Sequence, residues 1–114
     1  MNLQQGDKMK LAIVLYSEDP EIVWNALRLA IFSRKQGDDA KIFLLAKGVE
    51  IFNLHSEKYN ISQLVQEFVD EGGEVMSCTT CVKSRNMKTN ELCPLVTLND
   101  LYSLIKTSDK VLSF

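Results

Sequence analysis

Two thiols three residues apart, Cys78 and Cys81, are the residues of this chain whose type and spacing most clearly suit chemistry. A C-x-x-C pair can hold a nucleophilic or sulfur-carrying thiol, exchange dithiol for disulfide, or supply two ligands to zinc. At this spacing both sulfurs share one face of a helix. Gly72-Gly73 closes a helix and Glu74-Val75-Met76-Ser77 reads as a short strand, so Cys78 falls at the strand's carboxyl end, where a new helix begins. Open α/β sheets gather ligands and reactive groups at that address. The unpaired N–H groups and positive dipole end of a helix start favour thiolate over thiol. Cys78 is therefore the expected reactive sulfur, with a pKa below the ordinary thiol value of about 8.5.

Four readings of the pair compete. In the first, Cys78 is a nucleophilic or carrier thiol, and Arg85 lies two turns along the same helical face, placed to attract an anionic substrate without touching the sulfur. The second is thioredoxin-like exchange. It normally needs the pair early in the fold and a loop proline opposite, whereas here the pair comes late and Pro94 is the sole downstream proline. The third is zinc held by Cys78, Cys81, Cys93 and His55, but Cys93 and His55 lack the close-spaced partner that structural sites use. The fourth is plain packing of small, soft side chains. That reading suits Cys93, between Leu92 and Pro94, while the polar neighbours Ser77, Thr79 and Thr80 argue against apolar burial of Cys78.

Other candidates are weaker. His55, in Asn53-Leu54-His55-Ser56-Glu57, reads as a solvated surface residue. The chain has no GxxxxGK[ST] or GxGxxG loop to cradle phosphate. Asp38-Asp39 and Glu18-Asp19 flank helix ends and read as cap and surface carboxylates. Trp24 reads as core or subunit interface; facing outward it would favour self-association.

The elements that must position the thiols follow from the hydrophobic pattern. Leu11-Ala12-Ile13-Val14-Leu15-Tyr16 and Lys41-Ile42-Phe43-Leu44-Leu45-Ala46 are short apolar runs typical of strands covered on both faces. Between them Asp19 caps a helix with Pro20 in its first turn and Ile22, Val23, Ala26, Leu27, Ala30 and Ile31 inward, closed by Gly37. Such a crossover implies parallel strands and a right-handed connection. The stretch from Lys47 to Tyr59 reads as a long irregular loop able to fold over the site. Asn60 and Gln63 then make a capping-box variant before a helix with Ile61, Leu64, Val65, Phe68 and Val69 on one face. After the cysteine segment come a very short strand at Leu95-Val96, a helix opened by Thr97 with Leu98, Leu101, Leu104 and Ile105 inward, and a final strand Val111–Phe114. The fold class is α/β, a three-layer α/β/α arrangement on a parallel sheet of about five strands.

Bulk properties agree with one soluble domain. The chain has 114 residues, 46% hydrophobic and 25% charged, which suffices for a core without staples. Residues 1–8 read as a loose lead-in and residues 9–114 as the single domain. A net charge of −2 offers no basic field for nucleic acid and no polybasic run for a membrane surface. No apolar run approaches the roughly 20 residues of a membrane span, and the first residues lack a secretory pattern. The cytoplasm is the expected compartment. There, an odd count of three cysteines leaves at least one free thiol.

With these residues in place, the chain resembles the DsrE/DsrF-like family, which includes TusD-type and YchN-like sulfur-relay proteins. The features that carry the resemblance are Ser17-Glu18-Asp19-Pro20 before a long helix, the second strand, Glu74 to Met87 with its cysteine pair, and the closing Asp109-Lys110-Val111-Leu112-Ser113-Phe114. The resemblance implies that Cys78 carries persulfide sulfur and that Cys81 occupies a second cysteine position found in some members. This chain has Thr79 where the family often has glycine, and Asn86 where glycine usually follows the arginine; asparagine tolerates left-handed backbone geometry. The resemblance further implies a trimer or hexamer.

The expected function is a small sulfur carrier that accepts sulfane sulfur on Cys78 and passes it between donor and acceptor proteins. Cys81 is an optional resolving thiol, Thr79, Thr80 and Arg85 are the expected substrate-binding residues, and no cofactor is expected. The competing functions are a non-catalytic oligomeric subunit or binding module with incidental cysteines, and a C-x-x-C dithiol redox protein.

Overall fold

A computed structural model describes residues 8–87 and 94–114. Cys93 and nearly all of the expected lead-in lie outside the described residues. Strand β1 (Lys10–Leu15) is interior: it pairs in parallel with β2 (Asp39–Leu44) on one side and β5 (Lys110–Ser113) on the other. Strand β2 pairs with β3 (Glu74–Cys78), and β3 with β4 (Leu95–Val96), giving the parallel order β4-β3-β2-β1-β5. Helices flank this sheet in a three-layer α/β fold, as the sequence pattern anticipates. Leu11, Ala12, Ile13 and Leu15 of β1 are buried, as are Ile42, Phe43 and Leu44 of β2, because layers cover both faces.

Helix α1 (Pro20–Lys35) starts as expected: Asp19 Oδ1 accepts the N–H of Glu21 at 3.0 Å and of Ile22 at 3.1 Å, with Pro20 at the first position. It ends at Gly37, whose φ of 94° is the left-handed geometry a helix stop needs. Helix α2 (Ile61–Asp70) packs beside α1 on the same face of the sheet and buries Ile61, Val65 and Phe68. Successive steps from β1 to β4 move in one direction. The last crossover reverses to reach the far side of β1, so a right-handed connection puts α4 (Leu98–Thr107) on the opposite face. Thr97 and Asp100 cap α4, the Asp100 carboxylate accepting the Thr97 N–H at 2.8 Å and its hydroxyl at 2.9 Å.

Several expectations need correction. Ile22 and Leu98 are 42% and 70% exposed and Ile105 is 44% exposed, so none of the three points into the core. On α4, Leu98, Tyr102 and Ile105 form a second apolar stripe beside the buried one of Leu101 and Leu104. Helical periodicity reveals both stripes without saying which one the sheet takes. Asn60 and Gln63 hydrogen-bond each other through their side chains, so no backbone-directed capping box forms at α2. Asp38 is buried rather than a surface residue: its carboxylate accepts the Met9 N–H at 3.0 Å and the Ser33 hydroxyl at 2.8 Å, fastening α1 to the start of β1. Trp24 is half-buried within the chain, 5.1 Å from the Tyr59 ring, with the Arg28 guanidinium 4.2 Å over it. The supposed irregular loop opens as an ordered 3₁₀ helix, Ala46–Asn53, that buries Val49 and Ile51. Among the described residues no helix is long and apolar enough to cross a membrane.

Candidate functional site

The site is built where β3 ends. Cys78 is the last residue of β3 and the N-cap of α3 (Thr79–Ser84), with extended φ and ψ of −62° and 116°. In that conformation its side chain turns back over the first helical turn, and Sγ accepts the Cys81 N–H at 3.4 Å. The same turn brings the Cys81 thiol within 2.9 Å of Cys78 Sγ, to which it donates. The Thr79 hydroxyl donates to the Val96 carbonyl at 2.8 Å, fastening the start of α3 to β4. Thr80 is exposed, and its backbone N–H hydrogen-bonds Cys78. At the far end Asn86 adopts φ 50°, the left-handed geometry for which asparagine is suited.

The 3₁₀ helix closes over the pair from the end of β2. Ala46 adopts φ 52°, unusual for a residue with a side chain, and its N–H points at Cys81 Sγ from 3.3 Å. Glu50, four residues further along the 3₁₀ helix, pairs with Arg85, Oε2 to Nε at 3.2 Å. Arg85 Nη1 donates to the Cys81 carbonyl at 3.2 Å, so the guanidinium bridges the 3₁₀ helix and α3. Gly48 lets the 3₁₀ helix approach this closely: a Cβ there would lie 1.9 Å from the Leu15 carbonyl oxygen.

Two expectations about Cys78 are overturned. It is buried, 7% exposed, while Cys81 is the more accessible thiol. Its polar neighbours do not open it to solvent, because Ser77 is itself buried and Thr79 satisfies its hydroxyl on β4. The Cys78 thiol is also raised, not lowered: burial is the main cause, reinforced by the hydrogen bond from the Cys81 thiol and by repulsion from that neighbour. The backbone N–H groups of Cys81 and Thr80 pull the other way and do not win. A six-residue helix aligns too few peptide dipoles to offset the loss of water.

The structure therefore brings together Cys78, Cys81 and, through the Cys81 carbonyl, Arg85. It assigns Thr79 a fastening role toward Val96 and leaves Thr80 at the surface. Arg85 faces Glu50, so part of its charge is already engaged. His55 is exposed, and among the described residues no group of three His, Cys, Asp or Glu side chains could hold a metal ion. Ala46 and Glu50 were not legible as site residues. Ala46 acts through a backbone N–H that any residue but proline carries, and Glu50 lies in a segment without periodicity.

A family model described as the DsrE/DsrF-like family matches residues 9–114. An uncharacterized protein of Methanopyrus kandleri is 32% identical over 110 residues, 89% of this chain and 91% of that protein. Protein YchN of Escherichia coli is 33% identical over 103 residues, 82% of this chain and 87% of that protein. The crystal structure of the YchN protein from Escherichia coli superposes with a TM-score of 0.81 at 31% identity, covering 93% of this chain and 99% of that one.

Proposed function

The chain belongs to the DsrE/DsrF-like family, and from that premise we propose that it is a sulfur-relay carrier that holds sulfane sulfur as a persulfide on Cys78 and passes it to a partner protein. The observation that carries this reading is the contact of two free sulfurs, 2.9 Å apart, at the carboxyl end of β3. Transfer needs no cofactor. A thiolate takes the outer sulfur of a donor persulfide, the donor leaves as a thiolate, and an acceptor thiol later removes that sulfur in the same way. Burial of Cys78 shields the cargo from solvent thiols between the two events. The partners are a donor and an acceptor protein in the cytoplasm, with no role for nucleic acid or membrane.

The working unit in this reading is a homo-oligomer, a trimer or hexamer. Its support is apolar surface exposed among the described residues: Leu29 and Phe32 on α1 border a groove of 270 Å³ with Leu112 of β5, the last strand of the sheet on that side. Such a surface equally suits a non-catalytic oligomeric subunit, so the chemistry must be tested directly.

The test is the intact mass of reduced protein after incubation with inorganic polysulfide. The expected result is a gain in whole sulfur increments that Cys93→Ser retains and the double variant Cys78→Ser/Cys81→Ser loses. A wild-type protein that gains no sulfur overturns the carrier reading. Conversion to a Cys78–Cys81 disulfide without sulfur uptake assigns a dithiol redox role instead.

A further inference from the structure

We infer that Cys81, not Cys78, is the thiol that first receives sulfur from the donor, and that it hands the sulfur inward to Cys78. The inference rests on the carrier reading and divides the labour of its two thiols. Cys78 is buried beneath the first turn of α3, and its sulfur is contacted by the N–H and the thiol of Cys81. A donor persulfide approaching Cys78 therefore meets the Cys81 sulfur first. Cys81 is partly exposed, and the Ala46 N–H is aimed at its sulfur from another element, placed to stabilise the negative charge that a nucleophilic sulfur carries. Burial also raises the Cys78 thiol, which leaves little thiolate to attack an external donor.

The two steps balance as simple sulfur transfers. First, the Cys81 thiolate attacks the outer sulfur of the donor; a bond forms between that sulfur and Cys81 Sγ, the donor's sulfur–sulfur bond breaks, and the donor leaves as a thiolate that takes up the proton lost from Cys81. Second, the Cys78 thiolate attacks the same outer sulfur, its bond to Cys81 breaks, and Cys81 leaves as a thiolate that receives the Cys78 proton. The outer sulfur keeps its oxidation state in both steps. The two sulfurs lie 2.9 Å apart, close enough for that proton to pass directly from Cys78 to the leaving Cys81 thiolate. Adjacency offsets the poor acidity of Cys78 in the second step, since well-oriented neighbours reach effective concentrations of about 10⁵ M or more. On Cys78 the cargo lies among the Cys81 and Thr80 N–H groups, away from bulk solvent.

The experiment pulses reduced protein with inorganic polysulfide, quenches at short intervals, and locates the added sulfur by fragment-ion mass spectrometry. The earliest adduct is expected on Cys81 and the later one on Cys78. Cys78→Ser should still form its first adduct on Cys81, and Cys81→Ser should load Cys78 at least about tenfold more slowly than the wild-type protein takes up sulfur. Brief iodoacetamide treatment of wild-type protein, which needs no variant to fold, should alkylate Cys81 before Cys78. An early adduct or first alkylation at Cys78, or wild-type loading of Cys81→Ser, overturns the inference and leaves the carrier reading standing. A wild-type protein that takes up no sulfur removes both.

Discussion

The Ala46 N–H reaches the Cys81 sulfur at 3.3 Å across 35 residues of sequence, joining the end of β2 to the helix that follows β3. To aim that N–H, Ala46 accepts a left-handed backbone, φ 52°, which disfavours any residue with a Cβ. Ala46→Gly keeps the N–H and removes the clash. It should stabilise the protein by about 0.5–1 kcal/mol, read from the denaturant midpoint, and leave Cys81 alkylation unchanged. A destabilised variant would mean that the left-handed turn carries no strain.

Gly48 tests the same corner by the opposite change. Its Cβ would meet the Leu15 carbonyl oxygen at 1.9 Å, a backbone contact that no rotamer can relieve. Gly48→Ala should cost about 3 kcal/mol and displace the 3₁₀ helix. Because that displacement withdraws the Ala46 N–H, Cys81 alkylation at neutral pH should slow. Normal alkylation in a folded Gly48→Ala protein would separate the 3₁₀ helix from thiol reactivity.

The strands, the α1 cap and the address of Cys78 were legible because each depends on a few consecutive residues. Asp19-Pro20 caps α1 wherever the rest of the chain goes, and the apolar runs at Leu11 and Ile42 suit strands covered by helices on both sides. What failed depended on tertiary choice. Leu98 and Ile105 belong to a helix with two adjacent apolar stripes, and only packing selects one. The local N–H groups of Cys78 predict an acidic thiol, but the burial that raises its pKa comes from how the surrounding elements close. The Ala46 contact has no sequence signature at all.

Burial and the Cys81 thiol raise the Cys78 pKa, so the folded state holds this proton more tightly than the unfolded chain does. Linkage then fixes the sign. The contribution is fully present below the unfolded thiol pKa, about 8.5, and is lost as pH rises from there through the folded value. Reduced wild-type protein should therefore lose stability across that alkaline window more steeply than Cys78→Ser, measured by urea midpoints under reducing conditions. Parallel pH profiles for the two proteins would show that the thiol is unperturbed.

The exposed ring of Phe32, 61% accessible beside Leu29 and Leu112, is the surface on which assembly can be tested. Wild-type protein should scatter light as a trimer or hexamer. Phe32→Asp, a change at a largely exposed side chain, should lower the assembled mass while keeping the monomer's circular dichroism. A wild-type monomer at all concentrations would refute the proposed assembly.

The Glu50–Arg85 pair links the 3₁₀ helix to α3 at 3.2 Å, and Arg85 also holds the Cys81 carbonyl at 3.2 Å. Both side chains are about one-third exposed, 36% for Glu50 and 29% for Arg85, so solvent screens the pair and its loss should cost only about 0.2–1 kcal/mol. The effect on the site should be larger than this stability change suggests, because the pair sets the separation between the Ala46 N–H and the Cys81 sulfur. Glu50→Gln keeps the shape and removes the charge. Hydrogen exchange at the Ala46 amide should quicken in this variant, and sulfur uptake from polysulfide should slow while the fold stays intact. Arg85→Ala, which also frees the Cys81 carbonyl, should slow uptake further. If Arg85 instead attracts the anionic donor directly, Glu50→Gln will speed uptake by releasing the guanidinium's charge, and the direction of that single change decides between positioning and binding.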